Sequence, residues 1–227
     1  MELKKEAAKK AVELIKENTS VGIGAGTTMI HIAKLVAAKI QAGFVVDLYT
    51  PSKEILEVLN AEKISVNEIS GKAVIDQYFD GCDQVDRELN AIKSGGGIHT
   101  IEKLFASMAK EFVIVGDESK YVEVLNNKFP IVIEVLPEAL HFVTGGIQRI
   151  FEESTLELRT KNEITTLTEH GNYLVDIWFK NMPPLHTINS ILKSIAGVVE
   201  TSFFYHLADK AVLAGPDGIR LIKQYDL

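Results

Sequence analysis

Three short segments of the chain carry residues able to hold an anion and move a proton. The first is Val21-Gly22-Ile23-Gly24-Ala25-Gly26-Thr27-Thr28, a brief apolar run that passes through glycines into a helical pattern. Glycines let the backbone turn tightly and let a ligand approach the main chain. A helix starting near Thr27 or Thr28 offers unpaired N–H groups and a partial positive charge, which suits a phosphate. A tight turn capped by threonine would read the same way. The second is Asp80-Gly81-Cys82-Asp83-Gln84, just past a strand pattern, where neighbouring carboxylates can take unequal pKa values and divide acid from base roles. A solvated acidic turn is the plain alternative, and Cys82 reads better as a small buried residue than as a nucleophile. The third runs from Lys93-Ser94-Gly95-Gly96-Gly97 through His99 to Glu102-Lys103. A lysine, a glycine run and a helix start make a second anion cradle, and Glu102 in the first helical turn is placed to act as a general base or to complement the helix dipole.

Two rival chemistries draw on the same residues. The glycine spacing is G-x-G-x-G, and Asp47 lies inside the second strand pattern, so the dinucleotide fingerprint is not met. Asp80, Asp83, His99 and Glu102 could be drawn as a metal site, but the spacing lacks a second histidine. No metal or other cofactor is expected. The remaining histidines, at positions 31, 141, 170, 186 and 206, read as structural.

These segments must be positioned by the elements around them. Helical patterns over 2–17, 28–41 and 98–110, and another opening at Pro51, alternate with apolar runs at 21–25, 44–49, 64–68, 74–79 and 112–115. That rhythm predicts α/β architecture: a mostly parallel, Rossmann-like sheet with helices on both faces. Beyond it, strand patterns at 131–135, 156–159, 163–167 and 173–178 accompany helices over 138–153 and 187–196. The 163–167 and 173–178 runs are expected to form a hairpin around His170-Gly171-Asn172. Two late strands, 211–214 and 218–222, flank a Pro216-Asp217-Gly218 turn. The expected division is a main α/β domain over 1–128 and 206–227, with a smaller α+β domain over 129–205.

Composition bounds the function. The chain has 227 residues, 46% of them apolar, a formal net charge of −7 and one cysteine. Its mean hydropathy is +0.10. That acidic balance gives no electrostatic footing to nucleic acid or an anionic membrane as partner. An anionic small molecule needs a local pocket of donors. The charged N-terminal helix pattern lacks the apolar core of a signal peptide, and a single cysteine fits a reducing compartment, so a cytoplasmic location is expected.

Taken in order, the three segments resemble the type A ribose-5-phosphate isomerases, which carry V-G-x-G-T-G-S-T, D-G-A-D-E and K-G-G-G followed by E-K. The likeness continues through Asp117-Glu118-Ser119-Lys120, Phe129-Pro130-Ile131-Val132-Ile133-Glu134-Val135 and Gly215-Pro216-Asp217-Gly218. The resemblance implies a parallel α/β domain with a small lid domain, metal-free aldose–ketose isomerisation of a sugar phosphate through an enediolate in the pentose phosphate pathway, and a homodimer or homotetramer. It implies Glu102 as the proton-transferring base, with Asp80 and Lys93 assisting. Substrate binding would fall to Ala25, Gly26, Thr27, Thr28, Asp80, Gly81, Cys82, Asp83, Lys93, Ser94, Gly95, Gly96 and Lys120, with Lys4 or Lys5 reaching the phosphate. Ala25, Gln84 and Ser94 depart from the family pattern, which leaves open another aldose phosphate, or a sugar-phosphate binder without catalysis.

Overall fold

The computed structural model describes residues 2–224. Helix α1 (Glu2–Glu13) buries Ala7, Ala8, Ala11 and Val12 at helical spacing. It leads into strand β1 (Thr19–Ile23), helix α2 (Thr27–Gln41), strand β2 (Val46–Tyr49) and helix α3 (Lys53–Ala61). The hydroxyl of Ser52 caps α3 by accepting from Ile55 N at 3.3 Å. The cap is therefore serine, and Pro51 stands one residue outside it. The expected strand at 64–68 does not form: Ile64 and Val66 pack on the core, but no ladder develops beyond the bond from Asn67 N to Leu48 O.

Strand β3 (Ile75–Asp80) is followed by a tight hairpin of β4 (Gln84–Val85) and β5 (Ala91–Ile92), then helix α4 (His99–Met108) and strand β6 (Ala109–Asp117). Two-residue strands carry no periodicity, so no sequence pattern marks this hairpin. The hairpin turn closes on Asp86, whose carboxylate accepts from Asn90 N at 2.8 Å. Next come β7 (Ile131–Val135), α5 (Leu140–Ile150), β8 (Ser154–Leu158), β9 (Thr160–Lys161), β10 (Ile164–Thr165), β11 (Tyr173–Phe179), α6 (Leu185–Ser194), β12 (Val198–Thr201), β13 (Phe203–Phe204), β14 (Lys210–Gly215) and β15 (Gly218–Lys223).

The main sheet has the order β15-β14-β6-β3-β1-β2, parallel throughout except for the β14–β15 hairpin. Its central strands are buried on both faces, which is why Phe112–Val115 reads as an unbroken apolar run. A second sheet, β12-β7-β11-β8, is antiparallel, and one face packs against α5 and α6 around Ile133, Val143, Ile147, Val175 and Ile188. Of the expected hairpin between 163–167 and 173–178, only the end next to the turn forms. Ile164–Thr165 pairs with Thr160–Lys161, β11 pairs with β7 and β8, and a single bridge joins Leu167 to Tyr173. Residues 168–172 close as a turn, Thr168 N donating to Asn172 O at 2.9 Å and Gly171 N to Thr168 O at 3.0 Å, with the Thr168 and Asn172 side chains adding further bonds. Among the described residues, no helix is long and apolar enough to cross a membrane.

From β1 the chain steps outward to β2 and then returns to β3 on the other side. The carboxyl ends of β1 and β3 therefore flank a topological switch point, where open α/β sheets place their ligands.

Candidate active site

The loops after β1 and β3 are locked together by Asp80, which is fully buried. Its Oδ1 accepts from Ala25 N at 3.1 Å and Gly81 N at 2.7 Å; its Oδ2 accepts from the Tyr78 hydroxyl at 2.6 Å. Lys93 Nζ lies 2.9 Å from the same Oδ2. The carboxylate presses against Gly24, where a Cβ would come within 2.0 Å of Asp80 Cγ. Glycine at 24 is thus required by a side chain inside the protein. Gly26 differs: it has φ +98°, and nothing lies within 4 Å of its would-be Cβ.

The β4–β5 hairpin carries the chain from Asp83 out and back to Lys93. Asp83 Oδ2 accepts from Ser94 N at 2.7 Å and Gly95 N at 3.1 Å, so two amides of the glycine cradle are occupied. Among the described residues, Asp83 Oδ1 takes no hydrogen bond. Lys93 is 6% exposed and donates to Gly81 O at 2.6 Å. Its Nζ also stands 3.4 Å from Oε1 of Glu102, on the first turn of α4.

These contacts set the electrostatics. Burial drives the Glu102 pKa well above the carboxylate range; Lys93 opposes this and the Asp80 charge adds to it. Burial would lower the Lys93 pKa, but the charges of Asp80 and Glu102 outweigh it and hold the ammonium above its ordinary value. Burial pushes the Cys82 thiol up to about 12, so it is no nucleophile at neutral pH.

Asp83, Lys93 and Glu102 open onto a cavity of about 360 Å³, whose wall also includes Ala25–Thr28, Gly81, Cys82, Gly95 and Gly96. Helix α2 begins on that wall with no side-chain cap, leaving its first N–H groups available. Lys4 and Lys120 add positive charge, and Lys4 Nζ donates to Thr27 Oγ1 at 3.0 Å. Lys5 stands by Glu2 at 3.6 Å and is not part of the wall. One cavity thus joins a buried carboxylate of raised pKa to an uncapped helix start and two lysines.

A family model for Ribose 5-phosphate isomerase A (phosphoriboisomerase A) matches residues 48–218. The chain is 34% identical to a Ribose-5-phosphate isomerase A of Prochlorococcus marinus (strain MIT 9211), over 98% of this chain and 97% of that one. The chain belongs to the ribose 5-phosphate isomerase A family. Two solved structures, each 30% identical with 98% of both chains covered, share its fold. One is ribose 5-phosphate isomerase A from Methanocaldococcus jannaschii (TM-score 0.89); the other is a D-ribose-5-phosphate isomerase in complex with phospho-erythronic acid (TM-score 0.90).

Within this family member, most of the residues singled out from sequence meet at the cavity, but two do not. Asp80 lies behind the wall with both oxygens engaged. Ser94 turns its hydroxyl to Pro130 O at 2.7 Å, tying the cradle to the strand that becomes β7. Gln84 pairs with Asn126, so its departure from the family pattern lies away from the cavity. Ala25 remains on the wall. His99 faces Glu200 O at 3.4 Å, its Nδ1 has no partner among the described residues, and burial lowers its pKa to about 4. Among the described residues, no three of the His, Cys, Asp and Glu side chains converge to hold a metal. The sequence reading missed Glu54, Val115, Gly116 and Asp117 on the wall. The Asp117-Glu118-Ser119-Lys120 match could have signalled Asp117; Glu54 had no local signal.

Proposed function

We propose that this chain interconverts D-ribose 5-phosphate and D-ribulose 5-phosphate through an enediolate. The observation that carries the proposal is Glu102: a buried carboxylate of raised pKa on the cavity wall, within 3.4 Å of a buried ammonium. Asp83, with one oxygen free, assists opening of the sugar ring. Glu102 takes the proton from C2 and returns it to C1. Lys93 keeps the negative charge developing on the enediolate oxygens close to a fixed cation, the kind of preorganised stabilisation that lowers such barriers most. Asp80 acts through the Ala25–Thr28 loop that it pins, not by touching substrate. Phospho-erythronic acid bound to one relative supports a phosphorylated ligand here.

The decisive experiment incubates purified protein with ribose 5-phosphate and excess EDTA while ketose formation is followed. Turnover should be undiminished by the chelator. Loss restored by a divalent ion would replace this mechanism with a metal-assisted one. Ala25 favours a second reading, another aldose phosphate, because it leaves that part of the wall without a hydroxyl. Faster turnover of a different aldose phosphate in the same assay would establish it.

The phosphate is assigned to the start of α2, Thr27, Thr28, Lys4 and Lys120. The net charge of −7 gives a dianion no general attraction, so local donors must hold it. Lys4→Met should raise KM about tenfold or more, the worth of one charge-assisted bond of about 1.5–3 kcal/mol. Lys5→Met should leave KM within about twofold, since a surface ion pair contributes little. Equal effects from both would move the phosphate elsewhere.

A cytoplasmic location is supported by the single cysteine, which leaves the chain no internal disulfide to form. A homodimer or homotetramer is supported by Phe142, Ile150, Leu167 and Trp178, large apolar side chains left exposed in and around the second sheet. Light scattering on the assay sample that showed only monomer would count against it.

A further inference from the structure

Glu134 carries a charge that the cavity does not account for. It lies in β7, 1% exposed, between Ile133 and Val135. Among the described residues, no lysine, arginine or histidine stands within ion-pair distance of it. Three neutral donors surround it. The Thr168 hydroxyl (2.8 Å) and Asn172 Nδ2 (2.7 Å) donate to Oε1, and the Thr100 hydroxyl donates to Oε2. Burial works to raise its pKa, but these hydrogen bonds prevail and hold it below the ordinary value. The group is therefore ionised at neutral pH, at a position where another apolar residue would pack more simply.

Its partners explain what the charge does. Thr100 sits on the first turn of α4, two residues before Glu102. Two helical residues are separated by about 200° of rotation, so a grip on Thr100 from one side faces Glu102 to the other. The N-cap residue of α4, Ile98, provides no side-chain cap, and a carboxylate near a helix start is electrostatically favourable. On its other oxygen, Glu134 holds the 168–172 turn. That turn also carries Glu169, 2.9 Å from Lys53, whose chain neighbour Glu54 lines the cavity.

We propose that Glu134 is a positioning residue for proton transfer: through Thr100 it fixes the first turn of α4, and hence Glu102, against the second sheet and the 168–172 turn. The proposal rests on Glu102 being the base. Thr100→Val removes the linking hydroxyl at nearly constant shape, and Thr100→Ser restores it. With ribose 5-phosphate, at a temperature where melting curves show folded protein, Thr100→Val should lower kcat about tenfold or more, with KM within about twofold. Thr100→Ser should keep kcat within about twofold of the parent. Asn172→Ala loosens the same carboxylate from its far side and should lower kcat less, again at constant KM. The double variant should be no worse than about twofold below Thr100→Val, because both changes act through one group.

A folded Thr100→Val with parental kcat, a rise in KM alone, or losses that multiply in the double variant would overturn the proposal. If Thr100→Val does not fold, Asn172→Ala decides: parental kcat rejects the role, and a kcat loss at constant KM supports it. Glu102→Gln, measured alongside, separates the two readings. An active Glu102→Gln rejects the base itself; an inactive one beside a parental Thr100→Val rejects Glu134 alone.

Discussion

Glu102→Gln is expected to lower kcat about 10²–10⁴-fold, the usual worth of a positioned general base, while KM for the sugar phosphate changes little. The amide keeps the shape of the side chain and can turn its oxygen toward Lys93, 3.4 Å away in the parent, but it cannot accept a proton. The variant should melt no lower than the parent, since it buries a neutral group in place of a carboxylate that burial disfavours. An inactive but stable protein therefore separates a lost base from a lost fold. The parent's pH profile gives a second check. The base works only when ionised, so kcat must fall as pH drops through the raised pKa of Glu102. The acid limb should lie well above the value near 4.3 of an ordinary glutamate. The kcat profile is the one to follow, because kcat/KM also reflects the substrate phosphate, which titrates near about 6. Activity within a few-fold of the parent in Glu102→Gln would remove Glu102 from the mechanism.

Lys93→Met should destabilise the fold and abolish turnover together. The ammonium is 6% exposed, and its contacts run to Gly81 O and to the carboxylates of Asp80 and Glu102. Methionine fills similar space but leaves Asp80 buried without its cation, a loss of about 3–5 kcal/mol for a broken buried pair. For a chain of this size, that corresponds to a fall in Tm of roughly 6–20 °C. Glu102 would lose the neighbour that lowers its pKa, so the acid limb of any residual activity should move to still higher pH. Even a variant kept folded by cooling should turn over at least about 10²-fold more slowly, having lost the enediolate's cation and raised the base's pKa further. Melting curves and assays at low temperature test the two halves separately. A Lys93→Met protein that melts with the parent and isomerises at a similar rate would leave no role for the ammonium.

By itself, the sequence determined the elements whose signals are local. The apolar runs at 21–25 and 112–115 become central strands, the glycines before Thr27 end at a helix start, and Glu102 falls on the first turn of α4. In each case the residues that decide the outcome are neighbours along the chain. The joint order of the three segments also carried the family resemblance. Only the tertiary structure decided where polar atoms find partners. The sequence does not say which of Asp80 and Asp83 faces the ligand: Asp80 is spent on Tyr78, Ala25, Gly81 and Lys93, while Asp83 keeps an oxygen for the cavity. Ser94 turns to Pro130, Lys4 reaches the site where Lys5 does not, and Glu54 arrives from a helix with no motif of its own. Glu134 is the clearest case: β7 reads as a plain buried strand, and its charge makes sense only beside Thr100, Thr168 and Asn172. Periodicity fixes which face of an element turns inward. Which donor then meets which acceptor depends on the packing of elements that are 30 to 70 residues or more apart along the chain, and no local pattern records it.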